Sequence, residues 1–203
     1  MMTVTRTLLI LSSLWLSACS LTPTPEPVST YTLSASSIPI SASNAPLSRS
    51  LRINKPNASG YLATQRLLVM TEAQQLSLYK GAQWNEAIPL LVRNHLLDSF
   101  RLANVVSYVS SDDKRLMASV ELDTDLRAFQ TEYRQGEPVV VIILVARLVD
   151  AHQKRILASE TFTQQLAANS ADLPTIVLTF SQAQQALAQQ LIQWTQQTLT
   201  SMP

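Results

Sequence analysis

Between Ala118 and Gln165 the sequence reads as three long strands in succession, and this block constrains the fold more than any other feature. Ala118, Val120, Leu122, Thr124, Leu126 and Ala128 alternate with Ser119, Glu121, Asp123, Asp125 and Arg127, which predicts one buried and one wet face. Arg134–Glu137 is a turn, and Val139–Ala146 is an unbroken apolar run rich in β-branched residues. A run that short cannot cross a bilayer, so it reads as a central strand covered on both faces. Arg155–Gln165 completes an antiparallel three-strand meander. A sheet with a continuous apolar face needs a second layer to cover it.

Two helical patterns can supply that layer. Asn85 to about Phe100 carries Ile88, Leu91, Val92 and Leu96 at helical spacing, with Pro89 near its start. Asp172 can cap a last helix, with Pro174 in its first turn. Leu173, Val177, Phe180, Leu187, Leu191 and Trp194 form that helix's apolar stripe, opposite Gln182, Gln185, Gln189, Gln193, Gln196 and Gln197. Shorter strands are expected at Leu51–Asn54, Arg66–Thr71, Leu76–Tyr79 and Asn104–Val109, with a turn at Lys80–Gly81. The expected class is α+β: a mostly antiparallel sheet containing the meander, two main helices packed on it, and an extended N-terminal tether.

The N-terminus reads as an address. Arg6 precedes an apolar run, Leu8–Leu16, which ends in Leu16-Ser17-Ala18-Cys19. A charged start, a short apolar region and small residues before the cut describe a secretory signal. A cysteine directly after Ser17 and Ala18 makes it a bacterial lipoprotein signal, cleaved between Ala18 and Cys19. The Cys19 thiol would receive diacylglycerol, and its freed amine a further acyl chain. Two or more chains are what stable anchoring takes. Ser20 in place of aspartate points to the outer membrane rather than the inner. Residues 1–18 are then the signal peptide, 19–50 a Pro/Ser-rich tether with a short strand near Tyr31–Leu33, and 51–203 the folded domain. From Cys19 to Tyr31 the tether can span roughly 40 Å at about 3.3 Å per residue.

Composition removes most other classes. Lys+Arg 15 against Asp+Glu 14 gives a net charge of +1, so nucleic acid is a poor partner. One cysteine allows no internal disulfide framework, and two histidines make a histidine-built metal centre a poor expectation. With three glycines there is no glycine-rich phosphate loop.

Candidate chemistry is sparse. Glu121, Asp123 and Asp125 share one strand face and could supply a carboxylate pair or calcium oxygens. The simpler reading is a solvated face paired across strands with Arg147 or Arg155. His95 sits inside the first helix and His152 in a polar turn, and no serine lies in a nucleophile elbow. No catalytic or metal residue is assigned, and no cofactor beyond the acyl chains on Cys19. Trp84 precedes the first helix and reads as a hydrophobic staple. Tyr31, Leu33, Trp84, Phe180 and Trp194 are the candidates for partner or lipid contact, the last three as the lining of an apolar pocket between sheet and helices.

In order, these pieces resemble a known family. A lipobox is followed by a Tyr-x-Leu strand at Tyr31 and Leu33, a strand at Leu51–Ile53 with Pro56, then Tyr61-Leu62-Ala63. Trp84 and Ile88-Pro89-Leu90-Leu91 precede a helix with Leu96 and Leu97. This resembles the ABC-type transport auxiliary lipoproteins, PqiC-like proteins among them, over roughly Tyr31 to Leu199. The resemblance implies a periplasmic, non-enzymatic component at the outer membrane. Its partners would be an MCE-domain protein and inner-membrane transport components moving lipid or other hydrophobic molecules. A periplasmic lipid carrier is the alternative, and an envelope hydrolase a more distant one.

Overall fold

The structure, a computed structural model, describes residues 27–36 and 45–202. Its strands are β1 (Ser29–Tyr31), β2 (Leu47–Ile53), β3 (Arg66–Met70), β4 (Leu76–Trp84), β5 (Val106–Ser111), β6 (Val120–Arg134), β7 (Glu137–Asp150) and β8 (Arg155–Ala167). Helix α1 (Ile88–Ala103) lies between β4 and β5, and α2 (Leu173–Thr200) follows β8.

The α+β class and the meander are as expected, but the sheet is mixed rather than mostly antiparallel. β6 is its hub. Along one edge β6 pairs antiparallel with β7 from Val120 to Arg134, and β7 pairs antiparallel with β8. Along the other edge its first part pairs in parallel with β2, Leu51 opposite Val120, and its last part in parallel with β3, Val69 opposite Thr131. β5 lies parallel beside β2, and β1 parallel beside β4. Tight turns in the sequence announce antiparallel neighbours, whereas parallel neighbours are joined by crossovers that carry no local signal.

The hairpin β6–β7 turns on Gln135 and Gly136, both at positive φ (52° and 81°), the combination a two-residue turn needs to match strand twist. Alternation along β6 breaks once. Leu126 faces Leu144 and Ala128 faces Ile143, leaving Arg127 as an extra residue. This bulge puts Ala128 on the face opposite Leu126, not the same face, and turns Phe129 inward. β4 also departs from expectation. Lys80–Gly81 is no terminal turn, because the strand runs through to Trp84 with a register shift against β3. Gly81 takes φ 64° there, and a Cβ on it would lie 3.6 Å from the carbonyl oxygen of Pro27.

Helix α1 starts at Ile88 rather than Asn85. Pro89 has no amide proton to give to a preceding turn, so it belongs in the first turn, and the Asn85 amide instead donates to Tyr31 O at 2.8 Å. Asn104 closes α1 in the left-handed conformation, φ 50°. Asp172 caps α2 by accepting from the Thr175 amide at 3.0 Å. Both helices cover the same sheet face, which carries Leu51, Ile53, Leu122, Phe129, Ile142 and Leu144. The other face of β7 is only partly covered: Val139, Ile143 and Val145 are half-buried, and Arg134 Nη1 reaches over the strand to Gln165 Oε1 at 2.9 Å.

Candidate functional site

Glu121, Asp123 and Asp125 project from β6 on the face away from the helices, at the junction with β2. Each meets a cation or a side-chain amide, and Asn54 serves two of them. Glu121 is buried; it takes Lys154 Nζ at 2.9 Å and Asn54 Nδ2 at 3.3 Å and pairs with Arg52. Asp123 accepts from Asn54. Asp125 takes Arg147 Nη1 at 2.8 Å and Asn57 Nδ2 at 3.2 Å, with Arg127 at 3.5 Å. Burial alone would raise the Glu121 pKa, but the hydrogen bonds from Lys154 and Asn54 and the Arg52 charge hold it below the usual value. The Arg147 bond, with Asn57 behind it, holds Asp125 low as well. Through these partners, the carboxylates tie β2, β6 and β7 together. Arg147 is the expected partner; Arg155 is not one of the partners, and its place is taken by Lys154 and Arg52. Asn54 and Asn57 flank Pro56 and carried no signal in the sequence.

His95 faces a cleft of about 180 Å3 between α1 and residues 32–36, which also includes Glu86, Asn94 and Asp98. Burial pushes the imidazole pKa below its ordinary value, and the Asp98 charge opposes this. Ser99 Oγ lies 3.4 Å from His95 Nδ1, but it is fully buried and within 2.7 Å of the His95 carbonyl oxygen, to which it donates. Glu121 and Asp125 lie on the opposite sheet face, so the carboxylate–histidine cleft of a hydrolase is not formed by these residues. His152 lies in the β7–β8 turn, where its amide and that of Gln153 donate to Asp150 Oδ1.

Two of the aromatic candidates, Trp84 and Phe180, are core residues. Trp84 ends β4 and is fully buried with Phe129 and Phe180, at ring-centroid distances of 5.7 Å and 5.3 Å; Phe129 and Phe180 stack at 4.8 Å. Trp84 is thus a core residue and no staple on the α1 entry, and neither it nor Phe180 presents surface to a partner. Nor do these rings line a pocket: they fill the space between sheet and helices themselves. Trp194 is half-buried and meets Phe162 edge to face at 5.6 Å. Leu33 is buried beside α2, where Ser34 N donates to Ser181 Oγ at 3.0 Å, and Tyr31 sits on the edge strand β1. Phe129 completes the trio, and the bulge that aims it inward hid it from period-two reading. Ala18 and Cys19 lie outside the described residues.

The family model described as "ABC-type transport auxiliary lipoprotein component" matches residues 31–192. An uncharacterized protein of Bradyrhizobium diazoefficiens is 31% identical over 149 residues, 73% of this chain and 40% of that protein. The chain therefore spans about two fifths of that relative's length. A crystal structure of a Xanthomonas campestris protein superposes with a TM-score of 0.77 at 25% identity, covering 85% of this chain and 97% of that one. A second, uncharacterized protein superposes at 0.66 with 16% identity, over 84% of this chain and 99% of that one, and shares the fold. With the strand, Trp84, Pro89 and helix order in place across the matched span, the chain belongs to the family of ABC-type transport auxiliary lipoprotein components.

Proposed function

We propose that this lipoprotein is a non-catalytic adaptor. Held by acyl chains on Cys19 at the periplasmic face of the outer membrane, it docks an MCE-domain protein and, through it, the inner-membrane components of a lipid transport system. The observation that carries this reading is the closed interior. Trp84, Phe129 and Phe180 occupy the layer between sheet and helices where a lipid carrier would need a pocket of several hundred Å3. The titratable groups are split between two faces of the sheet and do not converge as an acid–base pair would. What remains for the domain is a rigid surface on a lipid anchor. The long uncharged glutamine face of α2 is one surface for a protein partner, with Gln182, Gln189, Gln193 and Gln197 exposed.

The test is purification of the natively acylated protein from mildly crosslinked envelopes, followed by mass spectrometry. The adaptor reading expects an MCE-domain protein, lost when Cys19→Ala misplaces the chain. Co-purified lipid with no protein partner would replace the adaptor with a carrier.

A further inference from the structure

The crossover from β5 to β6 passes over the outer face of β2 and ends in five consecutive exposed residues, Asp113–Met117. Leu116 is 58% and Met117 84% exposed, and Tyr108 on β5 is 74% exposed. Ser50 joins the three: it is the register partner of Tyr108, and its hydroxyl accepts from the amide of Ser119, just beyond Met117. Large apolar side chains gathered at one exposed place mark an interaction site.

The tip is held in shape before it meets anything. Asp112 takes Arg93 Nη1 at 2.7 Å and the Lys55 amide at 3.2 Å, and Arg52 Nη1 donates to Leu116 O at 3.1 Å. Arg115 turns the chain in the left-handed conformation, φ 52°. Little ordering cost is left to binding. The acidic and basic side chains of the tip differ in their partners, although Asp113 reaches Arg93 only at 3.8 Å and stays half-exposed beside Lys114. Asp112 and Asp113 both pair back to Arg93, whereas Lys114 and Arg115 form no salt bridge among the described residues. Two outward cations directly before two exposed apolar side chains, on a chain whose net charge is only +1, form a local amphipathic point. Apolar groups at the acyl boundary and cations at anionic headgroups are the arrangement of a bilayer-surface contact.

We propose that Lys114–Met117, with Tyr108, is a second membrane contact, taking an anionic bilayer surface as its partner. Leu116 and Met117 enter the headgroup–acyl boundary while Lys114 and Arg115 meet lipid phosphates. The proposal rests on the anchoring of Cys19. Pro27 lies eight residues beyond that cysteine, so the domain's first described residue stays within about 28 Å of the anchor, at roughly 3.5 Å per residue. A tether that short keeps the domain at the bilayer and lets a weak loop contact act at high local concentration.

The test uses the full acylated chain carrying Met117→Cys labelled with a polarity-sensitive dye, since acylation leaves Cys19 without a thiol. It is reconstituted on vesicles of phosphatidylethanolamine with phosphatidylglycerol, and on phosphatidylcholine alone. A blue shift of dye emission is expected on the anionic vesicles, weaker on phosphatidylcholine. It should be lost in Lys114→Glu/Arg115→Glu and absent for a dye at Gln189→Cys. Vesicles that float with the protein but show no shift at 117 overturn the loop contact alone. A chain that does not float overturns the anchor, and the loop contact with it. A shift seen in native envelopes but not on lipid vesicles assigns the tip to a protein partner and overturns the proposal.

Discussion

Trp84 at the end of β4 and Phe180 in the second turn of α2 meet edge to face, ring centroids 5.3 Å apart, although 96 positions separate them in the chain (180 less 84). With Phe129 they join β4 and β6 to the helix layer. Phe180→Ala is expected to cost about 3–5 kcal/mol, and Trp84→Ala a similar amount, because the rigid neighbours cannot close the space. Phe180→Leu should cost clearly less. Urea unfolding curves check this, with midpoint rather than slope carrying the change.

Acid should loosen the β2–β6–β7 junction. Glu121 and Asp125 have pKa values held below their ordinary ones in the folded chain. Their contribution is complete above the ordinary carboxylate range and disappears as the pH falls through the lowered folded values. The carboxylate contribution to the urea midpoint should be flat near neutrality and drop below about pH 4. Glu121→Gln should lower stability at pH 7 by about 1–3 kcal/mol and make the acid drop shallower.

His95 carries the same sign for a different reason. Burial lowers its pKa, so the neutral imidazole stabilises the fold above pH 6.5, and that contribution is lost as the pH falls through the folded value. Asp98 opposes the shift, so Asp98→Asn should lower the His95 pKa further. NMR titration of the His95 ring reads both effects. A rise in the pKa of the Asp98→Asn variant would contradict this account.

Gly81 is the one glycine whose positive φ lies inside a long strand. Gly81→Ala should destabilise by about 1 kcal/mol through backbone strain alone, since a Cβ there meets only an ordinary contact. Gly81→Asn should cost less, because asparagine tolerates the left-handed region. Hydrogen exchange should show the loss first at β1, which docks on this stretch of β4.

Several features were legible in the sequence because their causes are local. The alternation along Val120–Leu126, the apolar run of β7, the Asp172 cap and the placement of Pro89 each depend on a few neighbouring residues. The pairing of the acidic face was readable too, down to Arg147, but not its burial: Glu121 is buried rather than solvated. The boundaries at Asn85 and Lys80–Gly81 were misplaced where a turn signal belonged to a bulge or a helix entry.

The sequence by itself determined which segments become strands and helices and which of their faces seek cover, since both follow from side-chain period and capping chemistry along the chain. Only the tertiary structure decided that β2 and β3 share one edge of β6 in parallel, that Arg127 bulges so Phe129 turns inward, and that Arg52, Asn54 and Lys154 converge on Glu121. Pairing between distant segments is settled by which arrangement closes the core around Trp84 and Phe180. That is a competition among long-range contacts, and no window of neighbouring residues contains it.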